Sequence, residues 1–142
     1  MSLIHPHRNG FNSGINNYSD TLEKTGMDFD ILVLNENDKW SIEDNNKEIA
    51  VVVVEGKGTI EFQSKEFSFD RPDWISSDPT VVHMSAGENV KISTKSQSRI
   101  AVIKTINNET FKGKIYLPEE IDTEHRGKDQ LDDTCYRLVR LA

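Results

Sequence analysis

Short stretches of alternating apolar and polar residues, each closed by a turn-forming cluster, follow one another from residue 27 to residue 105. Phe29-Asp30-Ile31-Leu32-Val33-Leu34 is an apolar run bounded by Gly26 and by the turn cluster Asn35-Glu36-Asn37-Asp38. Trp40–Glu43 alternates, and Ile49–Val54 is a β-branched run apolar on both faces, as a central buried strand requires. Gly56 and Gly58 read as the bend of a hairpin spanning Ile49 to Phe62, and Phe62, Phe67 and Phe69 bracket a further turn at Ser64-Lys65. Arg71-Pro72-Asp73 breaks the pattern before Trp74-Ile75. Thr80–Met84 is another short strand, closed by Ser85-Ala86-Gly87. Val90–Thr94 alternates cleanly, and Arg99–Lys104 is expected to pair with it as a hairpin across Lys95–Ser98. No helical period of useful length interrupts the series. Strands at this spacing predict an all-β protein, an antiparallel sandwich or barrel.

The flanks have a different texture. Residues 1–26 are rich in Asn, Gly, Ser and His with few apolar positions, and are expected to form an arm lying on the body. The barrel is placed at residues 27–117. Residues 118–142 read as a polar linker, with turn chemistry at Arg126-Gly127, leading to a possible first strand of a missing second barrel. Asp129–Ala142 is ambiguous: Leu131, Cys135 and Leu138 fit a helix face, while Tyr136, Leu138 and Arg140 fit a strand face. The expectation is that the native reading frame continues past Ala142; Met1-Ser2-Leu3 is either a cloning scar or native.

Charge removes two classes of partner. The net charge is −7, and the lysines at 57, 65, 91, 95 and 104 are interleaved with acids rather than gathered into a basic stripe. Nucleic acid, whose phosphates demand such a stripe, is therefore not an expected partner, nor is an anionic membrane. The longest apolar run, Ile49–Val54, is far below the roughly 20 residues that span a bilayer. With neither a basic leader nor an apolar h-region in view, the expected location is the cytoplasm. The single cysteine, Cys135, excludes an internal disulfide, fits a reducing compartment and reads as a packing residue.

Within this frame the chain resembles a known family. Gly26–Leu34, Lys47–Gly58 and Asp78–Gly87, followed by Arg126-Gly127-Lys128 and Arg137-Leu138-Val139, are similar to the first cupin half of the 5-deoxy-glucuronate isomerase family of myo-inositol breakdown, itself related to the 5-keto-4-deoxyuronate isomerases. The resemblance implies a cupin-type antiparallel β-barrel (a double-stranded β-helix, or jelly roll). It also implies a two-barrel polypeptide and aldose–ketose isomerisation of a uronate-type sugar. The divalent metal is expected in the second barrel, held there by His and Glu residues, so no cofactor is expected in this chain.

A metal-binding cupin carries two His and a Glu before the glycine-hinged strand pair, and a further His three residues after the glycine of a Pro-x-Gly turn. Here the acidic position is read as Glu48, the preceding Ser41–Asp44 has no His, and the turn Ser85-Ala86-Gly87 is followed by Val90. Valine has no lone pair to donate, so no metal site is expected in this barrel. His83 precedes that position by seven residues and by default is a buried or rim histidine.

The reaction itself needs a base to move a proton and an electrophile to hold the enediolate, and Glu48 with His83 does not make such a set. Catalytic residues are therefore unassigned, and the chain alone is expected to be inactive, a scaffold for a second cupin barrel or for another copy of itself. A stand-alone degenerate cupin that binds a small sugar acid is the alternative. Its candidate contacts are Glu48, Arg71, Trp74 and His83, with Arg71 offering a cation and Trp74 a stacking face. A complete small metalloenzyme would need His5 and His7 of the arm beside His83.

Overall fold

The computed structural model describes residues 9–17, 25–126 and 136–141. These residues form the strands β1 (Gly14–Asn17), β2 (Asp28–Leu34), β3 (Lys39–Glu43), β4 (Lys47–Phe62), β5 (Lys65–Arg71), β6 (Val81–Met84), β7 (Asn89–Thr94), β8 (Ser98–Ile106), β9 (Lys114–Tyr116), β10 (Ile121–Arg126) and β11 (Tyr136–Leu141). Every pairing is antiparallel. One sheet runs β1-β2-β8-β4-β6-β9; the opposing one is β3-β7-β4-β5, and β4 belongs to both. Going along the chain, β6, β7 and β8 switch from one sheet to the other and back, which is the jelly-roll path.

Two pairings differ from those expected of the sequence. Ile49 to Phe62 is not a hairpin bent at Gly56; it is one continuous strand that leaves the first sheet and enters the second. Its register slips between Val53 and Glu55, the mark of a bulge, which is how a strand turns a barrel corner. Gly56 sits there at φ +125°, and a Cβ on it would lie 2.1 Å from Ser98 Oγ. Its missing side chain is what lets the two strands cross. The real hairpin loop is Gln63-Ser64, both left-handed (φ +50° and +62°), as a tight two-residue connection demands.

The second difference concerns Val90–Thr94 and Arg99–Lys104, which do not pair. β7 pairs with β3 and β4, and β8 pairs with β2 and β4. The three residues between β7 and β8 carry the chain across the barrel end, where the Lys95 amide donates to the Lys57 carbonyl at 2.7 Å. Each strand turns one apolar row inward, Val90 and Ile92 on β7, Ile100 and Val102 on β8, and all four are buried. Placing the strands in opposing sheets brings both rows into one core; a hairpin would have put them side by side. The core is a single cluster of apolar side chains from both sheets.

The arm contributes an edge strand over its described part. Asn16 is buried, its amide donating to the carbonyls of Asn12, Gly14 and Ile31 and its Oδ1 accepting from the Asn12 amide. At the other end, a 3₁₀ turn at Pro118–Glu120 precedes a two-stranded sheet, with Ile121 opposite Leu141 and Arg126 opposite Tyr136. The strand reading of the last stretch is thus met at Tyr136–Leu141, while Leu131 and Cys135 lie outside the described residues.

Candidate functional site

The interior of a β-barrel is fixed by parity: alternate residues of each strand point inward. On β4 the inward row is Ile49, Val51 and Val53, exposed by 1% or less. Glu48 therefore points out of the barrel, and the inward position beside it is held by Ile49. Reading Glu48 as the retained acidic member of a metal set is corrected on this ground. Val90 is fully buried opposite both Ile42 and Phe62. The barrel centre thus holds aliphatic and aromatic groups, which do not fit a divalent cation. Among the described residues no three His, Cys, Asp or Glu side chains gather closely enough to hold one. His5 and His7 lie outside the described residues.

The four candidate contact residues divide into two places. Glu48 and His83 come together on the outer face of the first sheet: His83 is opposite Ala50, and its Nε2 lies 3.8 Å from Glu48 Oε1. Asn107 donates to the other carboxylate oxygen, and the Phe111 ring is tilted against the imidazole at 4.8 Å between centroids. Both side chains are partly exposed. Such an arrangement can hold one proton or one hydrogen-bond donor, and offers no electrophile.

Arg71 and Trp74 sit at the barrel end where β5 finishes. The Arg71 guanidinium is buried and donates to the carbonyls of Val53 (2.7 Å), Ser77 (3.0 Å) and Trp74 (3.3 Å), tying the loop 72–77 to β4. Asp73 caps the same loop by accepting from the amides of Ile75 and Ser76. Those hydrogen bonds hold its carboxyl below the usual carboxylate range, the Ser76 hydroxyl contributing most. These hydrogen bonds tie the loop to the barrel end, with Trp74 and Ile75 mostly exposed at its tip.

Two polar groupings were missed in the sequence. Asp28 and Asp30 share the inward row of β2 with Leu32 and Leu34, opposite Lys104 and Val102. Asp30 is buried, accepts from Asn17 Nδ2 at 2.8 Å, and is pushed above the ordinary Asp value by burial, against the opposing pull of Lys104. Asp28 pairs with Lys47 at 2.7 Å, and that hydrogen bond raises the lysine's pKa. The signal was the spacing: treating Phe29–Leu34 as an apolar run hid an alternating Asp-x-Asp-x-Leu-x-Leu row. The other grouping is a cleft of about 390 Å³ between the β4–β5 hairpin and residues 112–115, floored by Phe62 and Ile115 and edged by Lys65, Lys112 and Lys114. Lys65 is far in sequence from Lys112 and Lys114, so no local pattern announced the grouping.

Two antiparallel sheets sharing one long strand around an apolar core define a cupin barrel, the class to which the similar solved structures belong. More narrowly, the chain belongs to the KduI/IolB family, whose model matches residues 3–141. It is similar in fold to an IolB-like protein from Salmonella typhimurium LT2, with TM-score 0.69 and 19% identity over 82% of this chain and 46% of that one. Protein YlbA from E. coli matches with TM-score 0.61 and 12% identity over 80% of this chain and 46% of that chain. A cupin protein from Bacteroides fragilis matches with TM-score 0.52 and 16% identity, over 71% and 83% of the two chains. The chain spans just under half the length of the first two. No curated protein matches the chain.

Proposed function

We propose that this barrel is the structural, metal-free cupin half of a uronate-isomerase-type protein, and that it works by packing against a metal-bearing cupin barrel. That partner is either another part of the same polypeptide or a separate chain. The reaction of the assembly would be the aldose–ketose isomerisation of a uronate-type sugar in inositol breakdown, in the cytoplasm. Membership of the KduI/IolB family supports the isomerase side of this reading.

The observation that carries the structural side is the barrel centre. Isomerisation needs an electrophile beside the carbonyl oxygen and a base beside the adjacent carbon, both in a site that excludes water. Here the inward rows of β4, β6, β7 and β8 are apolar and closely packed against one another, with Ile49 and Val90 in the middle. Among the described residues no set of metal donors gathers there, the inward Asp28 and Asp30 lying on β2 and being engaged by Lys47 and Asn17, and no catalytic step is assigned to the chain's own residues. Glu48 and His83, on the outer face, lie on the wrong side of the sheet to serve that centre.

The test is a paired assay of the purified chain. It is loaded in turn with Mn²⁺, Fe²⁺, Ni²⁺ and Zn²⁺, its metal content is measured, and 5-deoxy-glucuronate conversion is followed by NMR. The expected outcome is substoichiometric metal and no turnover. Stoichiometric metal with turnover by the chain alone would sink the proposal.

A further inference from the structure

The cleft beside the β4–β5 hairpin has a chemical character unlike the rest of the molecule. In a chain of net charge −7, three ammonium groups edge one opening of about 390 Å³. Two separate pieces of backbone supply them. Lys65 follows the Gln63-Ser64 turn and stands opposite Phe62, so it shares the barrel-side face of the hairpin with Phe62 and Phe67. Lys112 and Lys114 are two apart on the extended segment that closes the opposite wall. All three lysines are exposed, while Phe62 beneath them is buried and Phe67 and Ile115 are half-buried.

The construction of the wall explains why it stands where it does. Gly113 is buried, and a Cβ on it would come within 2.3 Å of Glu88 Oε2 and 2.8 Å of the Phe62 ring. Its amide donates to Glu88 at 3.0 Å, and its carbonyl accepts from Gln63 Nε2 at 2.8 Å. Gln63 Nε2 also donates to Glu88, as does the Ser85 amide. One carboxylate thereby pins the segment 112–114 to both the hairpin tip and the turn after β6. The walls are fixed to each other before any ligand arrives, which lowers the entropic cost of binding.

The charges on the two walls do not cancel. Glu88 lies under the wall with both oxygens engaged by donors. Lys114 is paired with Glu120 at 3.7 Å and rests over the Tyr116 ring at 4.3 Å. Lys65 and Lys112 have no ion-pair partner among the described residues. Three ammonium groups against two carboxylates leave one positive charge in excess, over a floor of two phenylalanines and an isoleucine. A small site with an apolar floor and a few placed charges is the usual form of a small-molecule site. An apolar floor favours the carbon face of a ligand, and one uncompensated positive charge favours one negative charge.

From this geometry we infer that the cleft between the β4–β5 hairpin and residues 112–115 binds a small monocarboxylate through an apolar face, its carboxylate held by Lys65 and Lys112. The inference goes beyond the scaffold role and does not depend on it: a scaffold barrel with an empty cleft would still be a scaffold. Two sources of the shared chemistry fit, a sugar acid laying the carbon–hydrogen face of its ring on Phe62 and Phe67, or an aromatic acid stacking there.

Calorimetric and NMR titrations of the whole chain test the site, with sodium D-glucuronate and sodium benzoate as the two probes and D-glucose and benzyl alcohol as their neutral counterparts. Saturation by glucuronate alone identifies a sugar-acid site, by benzoate alone an aromatic-acid site, and by both a general monocarboxylate site; each outcome supports the inference. The double variant Lys65→Glu/Lys112→Glu is expected to weaken whichever carboxylate binds by at least about tenfold. Because both lysines are exposed, circular dichroism should show the fold unchanged. Lys39→Glu, on the outer face of the sheet β3-β7-β4-β5 and outside the cleft lining, is expected to leave binding within about twofold. The inference is overturned if neither carboxylate saturates below about 10 mM, if the neutral counterpart binds as well as its acid, or if the double variant binds as tightly as the parent.

Discussion

The outer faces of the two sheets are built differently, although the inner faces are alike. On the sheet β1-β2-β8-β4-β6-β9, the outward residues at its centre are Phe29, Ile31, Ala50, Val52, Ala101 and Ile103. On the sheet β3-β7-β4-β5 they are Ser41, Glu43, Thr59, Glu61, Lys91 and Ser93. An antiparallel sheet can face water on one side, and the second sheet does so with the ordinary apolar-in, polar-out alternation. The first sheet has apolar residues on both sides, the pattern of a sheet meant to be covered. Its uncharged apolar side chains suit packing against another sheet. This contrast fits the proposal of a barrel that leans on a second barrel through one face only.

Adjacent residues of β4 sharpen the contrast most. Val51 points into the core and Val52 points out of the first sheet. Val51→Asp places a carboxylate among apolar groups with no partner, so the chain is expected to lose more than about 4 kcal/mol and fail to fold. Val52→Asp is expected to cost about 1 kcal/mol or less in urea denaturation, while weakening any association with a second barrel. Analytical ultracentrifugation reads the association. Equal stability losses for the two variants would break the distinction between the faces.

The next largest effect is at the corner where β4 passes from one sheet to the other. Gly56→Ala is expected to destabilise the chain by upwards of about 2 kcal/mol, because φ is positive there and the added methyl meets Ser98. Ser98→Gly in the same chain removes the contacts with the Ser98 Oγ and Cβ but leaves the backbone Cα at 2.7 Å and the positive φ in place, so it should recover only part of the loss. Full recovery would mean that the close crossing alone, and not the backbone angle, fixes glycine at this corner.

Asp30 gives a pH-dependent prediction. Burial raises its folded-state pKa above the ordinary 3.8, with Lys104, Asn17 and Lys47 pulling it down and Asp28 pushing it up. The folded chain therefore holds that proton more tightly than the unfolded chain. The stabilisation it gives is full below pH 3.8 and is lost as pH rises through the folded value. Asn at this position carries no proton equilibrium. The stability of Asp30→Asn relative to the parent should thus increase as pH climbs above about 4 and then level off. Urea midpoints across that range check the sign; a variant whose stability relative to the parent falls with rising pH contradicts it.

The smallest effect is expected on the wet face. Lys91 and Glu61 pair at 3.6 Å with both side chains more than half exposed. Exchanging the two should change stability by no more than about 0.5 kcal/mol, and raising the salt should erase even that.

Much of the fold was legible because strand signals are local. The runs Phe29–Leu34, Trp40–Glu43, Val90–Thr94 and Arg99–Lys104 fall within strands of the structure, and the β-branched Ile49–Val54 run is central as its composition required. Pairing was less legible. A turn-like segment such as Lys95–Ser98 looks the same whether it closes a hairpin or carries the chain between sheets. Only the demand that Val90, Ile92, Ile100 and Val102 share a core decides between the two. Gly56 was recognised as special, but its reason, the approach of Ser98 from a strand 42 residues further along, has no local signature.

The candidate contacts show the same division. Arg71 and Trp74 were noticed as a cation and an aromatic beside a proline break, yet the guanidinium faces three carbonyls of its own chain. Glu48 and His83 were noticed separately, and meet because β4 and β6 pair in register.

By itself the amino-acid order settled that the chain is all-β, that its net charge is acidic, and where Val stands instead of a lone-pair donor. Those properties depend on residue type and on periodicity over a few neighbours. Which side of each sheet a residue occupies, which strands face one another, and which distant lysines edge one cleft were settled by the folded chain alone. A shift of one residue in register reverses the facing of a whole strand, and register is set by contacts between residues far apart in sequence.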